Sequence, residues 1–202
     1  MTDKRTKHLS RLPALLAGLA AVLVIVVFAV LPRIADAPSQ GTAIGGPFSL
    51  IDNAGRSVTE ADYRGKIMMI YFGYTFCPDV CPTTLGNMAQ AFDLLTPQEQ
   101  AQVVPIFITV DPERDTVDQI AQYVDAFSPA FVGLTGSPEQ VAPVLKEFRV
   151  YAHKVDTSDG NYSVDHSSII YVMDKKGRYA THFSGEVAPK DIAAGLKKYL
   201  AG

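Results

Sequence analysis

Cysteine is nearly absent: Cys77 and Cys81 are the only two in 202 residues. That excludes the disulfide framework of a small secreted scaffold. A bridge between them would close so short a loop that it would constrain the unfolded chain little, so the pair reads as chemistry rather than as a staple. Also missing are internal repeats and any long polar, aromatic-poor stretch of the kind that stays disordered. Basic excess is missing from most of the chain. Lys4, Arg5, Lys7, Arg11 and Arg33 oppose Asp3 alone, so the first 33 residues carry +4, and the remainder, with 13 basic against 20 acidic residues, carries −7. An acidic domain of this kind is a poor nucleic-acid binder, because phosphate contacts need clustered Lys and Arg.

What the chain does have is one long apolar run. Leu12 to Leu31 spans 20 residues without a charge, and a helix of that length reaches about 30 Å, the thickness of the bilayer core. The basic flank ahead of it, residues 1–11, predicts a cytoplasmic N-terminus. A cleaved signal peptide is the competing reading, with Ala35-Asp36-Ala37 as a small-x-small site. The run is longer than a signal core, and Pro38 would follow the cut directly, so an uncleaved anchor over 12–31 is expected. In either case the bulk of the chain is exported. In a bacterial cell that places it on the inner membrane, with the domain in the periplasm. Residues 32–46, with Pro38, Ser39, Gly41, Gly45 and Gly46, read as a flexible tether, and residues 47–202 as one domain.

Within that domain strands and helices alternate. Phe48 to Asp52 followed by Asn53-Ala54-Gly55 suggests a hairpin strand. Lys66 to Tyr74 and Ile106 to Asp111 are nearly continuous apolar runs, the pattern of strands buried on both faces; Pro105 is expected to mark the start of the second. Helices are predicted from about Pro82 to Leu95, with Leu85, Met88, Phe92 and Leu95 on one face, over Val117–Phe127, and from Ser137, with an N-cap serine and Pro138 at the first helical position, to Phe148. Phe131 to Leu134 reads as a short strand, Ser168–Asp174 and Arg178–Ser184 as a hairpin, and Pro189–Leu200 as a closing helix. This is an α/β sheet covered by helices.

The chemistry concentrates in Tyr74-Thr75-Phe76-Cys77-Pro78-Asp79-Val80-Cys81-Pro82, between a buried strand and a helix, where sheet proteins place their sites. Pro78 and Pro82 push Cys77 and Cys81 towards extended backbone, so either cysteine is a candidate N-cap. A thiol near a helix N-terminus has a lowered pKa and favours the thiolate. Four-residue spacing puts two helical side chains on one face, close enough to bind one soft ion or, after modest rearrangement, to join as a disulfide. Thiolates select Cu(I) or Zn(II) over hard cations. Structural zinc wants four protein ligands, whereas Cu(I) accepts two sulfurs and one imidazole. Of the four histidines, His8 lies in the cytoplasmic flank, His153 in a mixed polar segment and His182 in the last hairpin. His166 precedes the strand Ile169 to Met173 and is placed to meet the cysteine turn; satisfaction by Asp165 is the alternative, and the residues alone leave both open. Asp111-Pro112-Glu113-Arg114-Asp115 follows a strand and reads as a turn and helix start with Asp115 or Thr116 as N-cap; a loop beside the metal site is the alternative. Asp79 reads as a solvated carboxylate.

The ordered set Tyr71-Phe72-Gly73-Tyr74-Thr75, Cys77-Pro78-Asp79-Val80-Cys81-Pro82, Thr109-Val110-Asp111-Pro112-Glu113-Arg114-Asp115-Thr116, Leu134-Thr135-Gly136, Asp165-His166-Ser167 and Tyr171 resembles the Sco (SenC) family of copper chaperones for cytochrome c oxidase. The likeness covers residues 46–184, and the anchor and tether fit it. It implies a thioredoxin-like fold, one copper ion, Cu(I) or Cu(II), on Cys77, Cys81 and His166, and delivery of that copper to the dinuclear copper site of an oxidase subunit, with the copper donor and the thiol reductant left open. The alternative is a thiol–disulfide reductase using Cys77 and Cys81 as its redox pair on the oxidase subunit's copper-ligating cysteines. A peroxidase of the same superfamily would need a peroxide pocket that nothing in the spacing calls for.

Overall fold

A computed structural model of the chain describes residues 44–158 and 160–200. The expected basic flank, anchor and cleavage site, with His8 and most of the tether, lie outside the described residues. Among those described, no helix is long and apolar enough to cross a membrane.

The chain builds, in order, β1 (Ser49–Asp52), β2 (Ser57–Thr59), a 3-10 turn (Glu60–Tyr63), β3 (Ile67–Gly73), α1 (Val80–Asp93), α2 (Pro97–Gln100), β4 (Val103–Thr109), α3 (Val117–Asp125), β5 (Val132–Thr135), α4 (Pro138–Glu147), β6 (Ala152–Asp156), β7 (Tyr162–His166), β8 (Ile169–Met173), β9 (Tyr179–Ser184) and α5 (Pro189–Leu200). Seven strands form one sheet in the order β2-β1-β5-β4-β3-β8-β9. β3, β4 and β5 run parallel; β1 and β8 pair antiparallel to β5 and β3. All seven residues of β3 and of β4 are buried, as their unbroken apolar runs predict. Each large side chain buried there stabilises the fold by about 1.5–3 kcal/mol. Phe72 shows how such a residue packs, lying 5.2 Å from Phe148 and 5.7 Å from Tyr171 between ring centroids.

Some features differ from expectation. Pro105 lies inside β4, not at its start. It pairs with Met69 on one side, while β5 joins only at Ile106, so a residue without an N–H is tolerated where one edge of the strand is open. Of the two N-cap candidates, Thr116 caps α3, its hydroxyl accepting from the Gln119 N–H, and Asp115 turns inward. A further difference is a separate ribbon, β6 paired with β7, that the pattern did not show. Its residues are mixed in polarity, with β6 mostly exposed and β7 mostly half-buried, so no apolar periodicity marks it. The Ser137 cap with Pro138 at the first helical position stands as expected.

Strand direction positions the site. β3 and β8 are antiparallel, with Tyr71 opposite Ile170. The end of β3, from which the cysteine turn springs, therefore lies beside the beginning of β8, which His166 precedes by three residues. β4 is parallel to β3, so the segment starting at Asp111 emerges at that same end.

Candidate metal centre

The cysteine turn leaves β3 through Gly73. A Cβ at Gly73 would stand 2.7 Å from the Cys81 Sγ, so glycine here opens the space the thiol fills. Tyr74 accepts from the Cys77 N–H, which commits Cys77 to the turn, and the helix opens after it with Asp79 as N-cap. Neither cysteine is therefore the N-cap. Cys81 falls in the first turn of α1, and Pro82 beside it loses only an N–H that has no intrahelical partner at that position. Asp79 is exposed, as a solvated carboxylate should be.

Cys77, Cys81 and His166 come together: Sγ, Sγ and a ring nitrogen all lie within 4.8 Å of one another. The Cys81 Sγ is 3.2 Å from His166 Nε2. The other ring nitrogen, Nδ1, is 3.2 Å from the Ser167 carbonyl. A carbonyl only accepts, so this contact places the proton on Nδ1 and leaves the Nε2 lone pair facing the sulfurs, the usual way an outer group orients a ligating histidine. Tyr71 and Tyr74 set their edges against the imidazole at 6.1 and 5.8 Å. The Tyr71 hydroxyl points at Cys81 from 3.9 Å. Burial pushes its pKa up, so it remains a donor. His153 and His182 are not part of the cluster; the His182 ring meets the Tyr179 hydroxyl instead.

The two thiols are unequal. The hydrogen bond between them holds Cys77 well below the ordinary thiol range, against the cost of its own burial. The same bond, followed by burial and the neighbouring charge, pushes Cys81 up. Cys77 thus carries the first negative charge, and it is also the more accessible, at 8% exposed against 0% for Cys81. An open groove of about 400 Å³ reaches it, with Cys77, Asp79 and Val80 on one wall and Ser163, Asp165 and His166 on the other.

Behind the cluster two carboxylates turn inward, Asp115, a candidate helix cap in the sequence pattern, and Asp111. Asp115 is fully buried. It accepts from the Thr75 N–H at 3.1 Å, from the Thr75 hydroxyl and from the Thr109 hydroxyl, both at 2.6 Å, and so staples the cysteine turn to β4. Burial raises its pKa, and those hydrogen bonds offset only part of the rise. Asp111, also fully buried, accepts from Arg114 Nε and from the Tyr162 hydroxyl. Glu113 between them is exposed and pairs with Lys154 at 2.6 Å. Arg114 and Tyr162 are the residues that sequence reasoning passed over. The only signal was charge density after a buried strand.

The SCO1/SenC family pattern matches residues 36–201. Protein SCO1 homolog 1, mitochondrial, of Arabidopsis thaliana is 46% identical over 166 residues, 82% of this chain and 50% of the relative, so the chain spans about half that protein's length. The structure of Bradyrhizobium japonicum ScoI with copper bound is 45% identical and superposes with a TM-score of 0.73 over 78% of this chain and 99% of that one. For the fold alone, at 24% identity, BsSco, a member of the Sco family of cytochrome c oxidase assembly proteins described with a disulfide switch, superposes with a TM-score of 0.61 over 79% of this chain and 94% of that one. These matches give the sheet its name, a thioredoxin-like Sco fold.

Proposed function

The chain belongs to the SCO1/SenC family, and on that premise we propose that it is a membrane-anchored copper carrier. It holds one copper ion on Cys77, Cys81 and His166 and passes it to the copper-accepting subunit of a cytochrome c oxidase. The observation that carries this reading is the convergence of three ligand atoms within 4.8 Å of one another at the mouth of the sheet. Two sulfurs and one imidazole suit trigonal Cu(I) and fall one short of a closed zinc site. The related ScoI from Bradyrhizobium japonicum is a copper-bound protein of the same fold.

Cargo must leave as well as bind. The groove along Cys77 gives a partner's thiolate or imidazole a path to the ion while Cys81, fully buried, still holds it. Ligands are then exchanged one at a time. The apolar run 12–31 and its basic flank support anchoring in the cell inner membrane, N-terminus inside and domain in the periplasm. Tethering on the partner's membrane raises the effective concentration for the encounter.

The inequality of the thiols favours a second reading, a thiol–disulfide reductase acting on the same subunit's copper-ligating cysteines. The Cys77 thiolate attacks a partner disulfide and releases one partner thiolate. Cys81, losing its proton, then attacks Cys77 in the mixed disulfide and releases the second. Two electrons pass to the partner, and Cys77–Cys81 is left as the disulfide.

One experiment separates the two. The full-length chain is loaded with copper under reducing conditions, and stoichiometry and affinity are measured for the wild type and for His166→Ala. One tightly held copper, strongly weakened by the substitution, supports the carrier. Affinity unmoved by His166→Ala sinks the three-ligand site and leaves thiol–disulfide exchange, which needs no imidazole.

A further inference from the structure

His166 differs from the cysteines in how it is held. It ends β7, and among the described residues β7 pairs only with β6. At its base the ribbon is tied by the Ser167 N–H to the Tyr151 carbonyl and by the Tyr151 N–H to the Ser167 hydroxyl. Those bonds join the ribbon to itself. Val164 is buried and its N–H donates to the Tyr74 hydroxyl, but one hydrogen bond and an apolar contact without direction fix a point of the strand and not its tilt.

Apart from that bond and the exposed pair of Lys154 with Glu113, the directional contacts from ribbon to core converge on one side chain. Arg114 Nε donates to Asp111, and Nη1 donates to the Tyr162 carbonyl at 2.9 Å and to Asn161 Oδ1 at 3.3 Å. The guanidinium lies 3.7 Å from the centroid of the Tyr162 ring, and the Tyr162 hydroxyl returns a 2.9 Å hydrogen bond to Asp111. Asp111 follows β4, in the buried middle of the sheet. Tyr162 opens β7, four residues before His166. The ribbon is thus fixed to the core at the end far from the histidine, by a planar fork that a point charge does not imitate. Tyr74 fills the space between, 5.6 Å from the Arg114 guanidinium and 5.8 Å, edge-on, from the His166 ring.

We propose that Arg114, clamped on Asp111 and seated on Tyr162, is a positioning residue that aims His166 at Cys77 and Cys81. The inference rests on the three-ligand copper site argued above. With the clamp in place, the tilt of β7 is set at both ends and the imidazole is presented with its Nε2 towards the sulfurs. Without it, the ribbon remains folded on its own ladder but the third ligand is offered in many orientations.

The test is a double-mutant cycle on copper affinity in the full-length chain: wild type, Arg114→Ala, His166→Ala and both together. The expected loss for Arg114→Ala is at least about tenfold, the range seen when outer partners of a metal ligand are removed, with no further loss when it is added to His166→Ala. The copper(II) spin-resonance spectrum gives the signature: nitrogen coupling from one imidazole in the wild type, weakened and heterogeneous in Arg114→Ala. Tyr162→Phe, which removes only the hydroxyl bond to Asp111, reads the same cycle with less risk to folding and should shift affinity in the same direction by less. Wild-type affinity and nitrogen coupling in Arg114→Ala would overturn the proposal. So would an equal loss with and without His166, which is the mark of general damage. If His166→Ala alone changes nothing, the three-ligand site itself falls, and the positioning role with it.

Discussion

Cys77 and Cys81 stand at the end of a strand with seven buried residues, while His166 closes a ribbon whose first strand is exposed at four of five positions. Apart from the Asp115 staple on Thr75, the cysteines inherit their place from apolar burial, which is large, non-directional and spread over many side chains. The histidine's side of the cradle depends on a few polar contacts, each small in net free energy but strict in angle. A metal cradle assembled from both kinds has one wall that resists change and one that can be adjusted without unfolding the domain. For a carrier that division is useful, since the ligand released during transfer should be one whose movement costs the fold little.

The comparison is broken most directly at the core. Phe72→Ala empties a fully buried site against Phe148 and Tyr171. Its expected cost is about 4 kcal/mol of stability, read as a lower denaturant midpoint for the full-length chain. A cost near that of a surface change would mean that the sheet's middle is not what fixes the cysteine wall.

A smaller effect sharpens the inequality of the two thiols. In the reduced, metal-free chain an alkylating reagent is expected to modify Cys77 first and to leave Cys81 untouched until the domain unfolds. Because the Cys77 pKa is depressed, its thiolate persists as pH falls. Its rate should therefore stay level through the region, near pH 8, where an ordinary thiol loses reactivity. The opposite shift on Cys81 adds a second barrier to its burial. A Cys77 rate that drops tenfold per pH unit below about pH 8 would mark an ordinary thiol and remove the electrostatic half of the argument for it as the attacking group.

The same division decides what could be read without coordinates. β3 and β4 announce themselves as unbroken apolar runs, and the Ser137-Pro138 cap as a local rule, because burial and capping are written in consecutive residues. The ribbon left no such mark, since exposed strands of mixed polarity look like loop. The cysteine pair stood out by scarcity. His166 stood out by its place before a buried strand, but satisfaction by Asp165 stayed open until the family resemblance decided between them, because its approach to Cys81 is a matter of strand order and not of spacing. The segment Asp111 to Asp115 shows the limit most clearly. It holds three acids within five residues, of which Asp111 and Asp115 are wholly buried and Glu113 is exposed. Nothing local says which carboxylates turn inward; that depends on Thr75, 40 positions away, and on Tyr162, 51 positions away.

The smallest expected effect tests whether the ribbon's hold is concentrated or spread. Lys154, on β6, pairs with Glu113 at 2.6 Å and lies 4.6 Å from the Tyr162 ring centroid, so by position it is as much a strap as Arg114. Its environment differs. The two side chains of this pair are 44% and 58% exposed, and an ion pair so open to water and salt contributes about 0.5 kcal/mol or less. Arg114 is 17% exposed and its partner Asp111 is wholly buried, so the geometry there is enforced by the cost of leaving a buried carboxylate unpaired. Lys154→Ala should therefore leave copper affinity and the nitrogen coupling unchanged and shift the unfolding midpoint barely at all, at low salt as at high. Copper titration of the full-length variant beside Arg114→Ala checks it. An equal loss of affinity in the two would mean that the histidine wall is held by the sum of its surface contacts, and the distinction between a buried fork and an exposed strap would have to be given up.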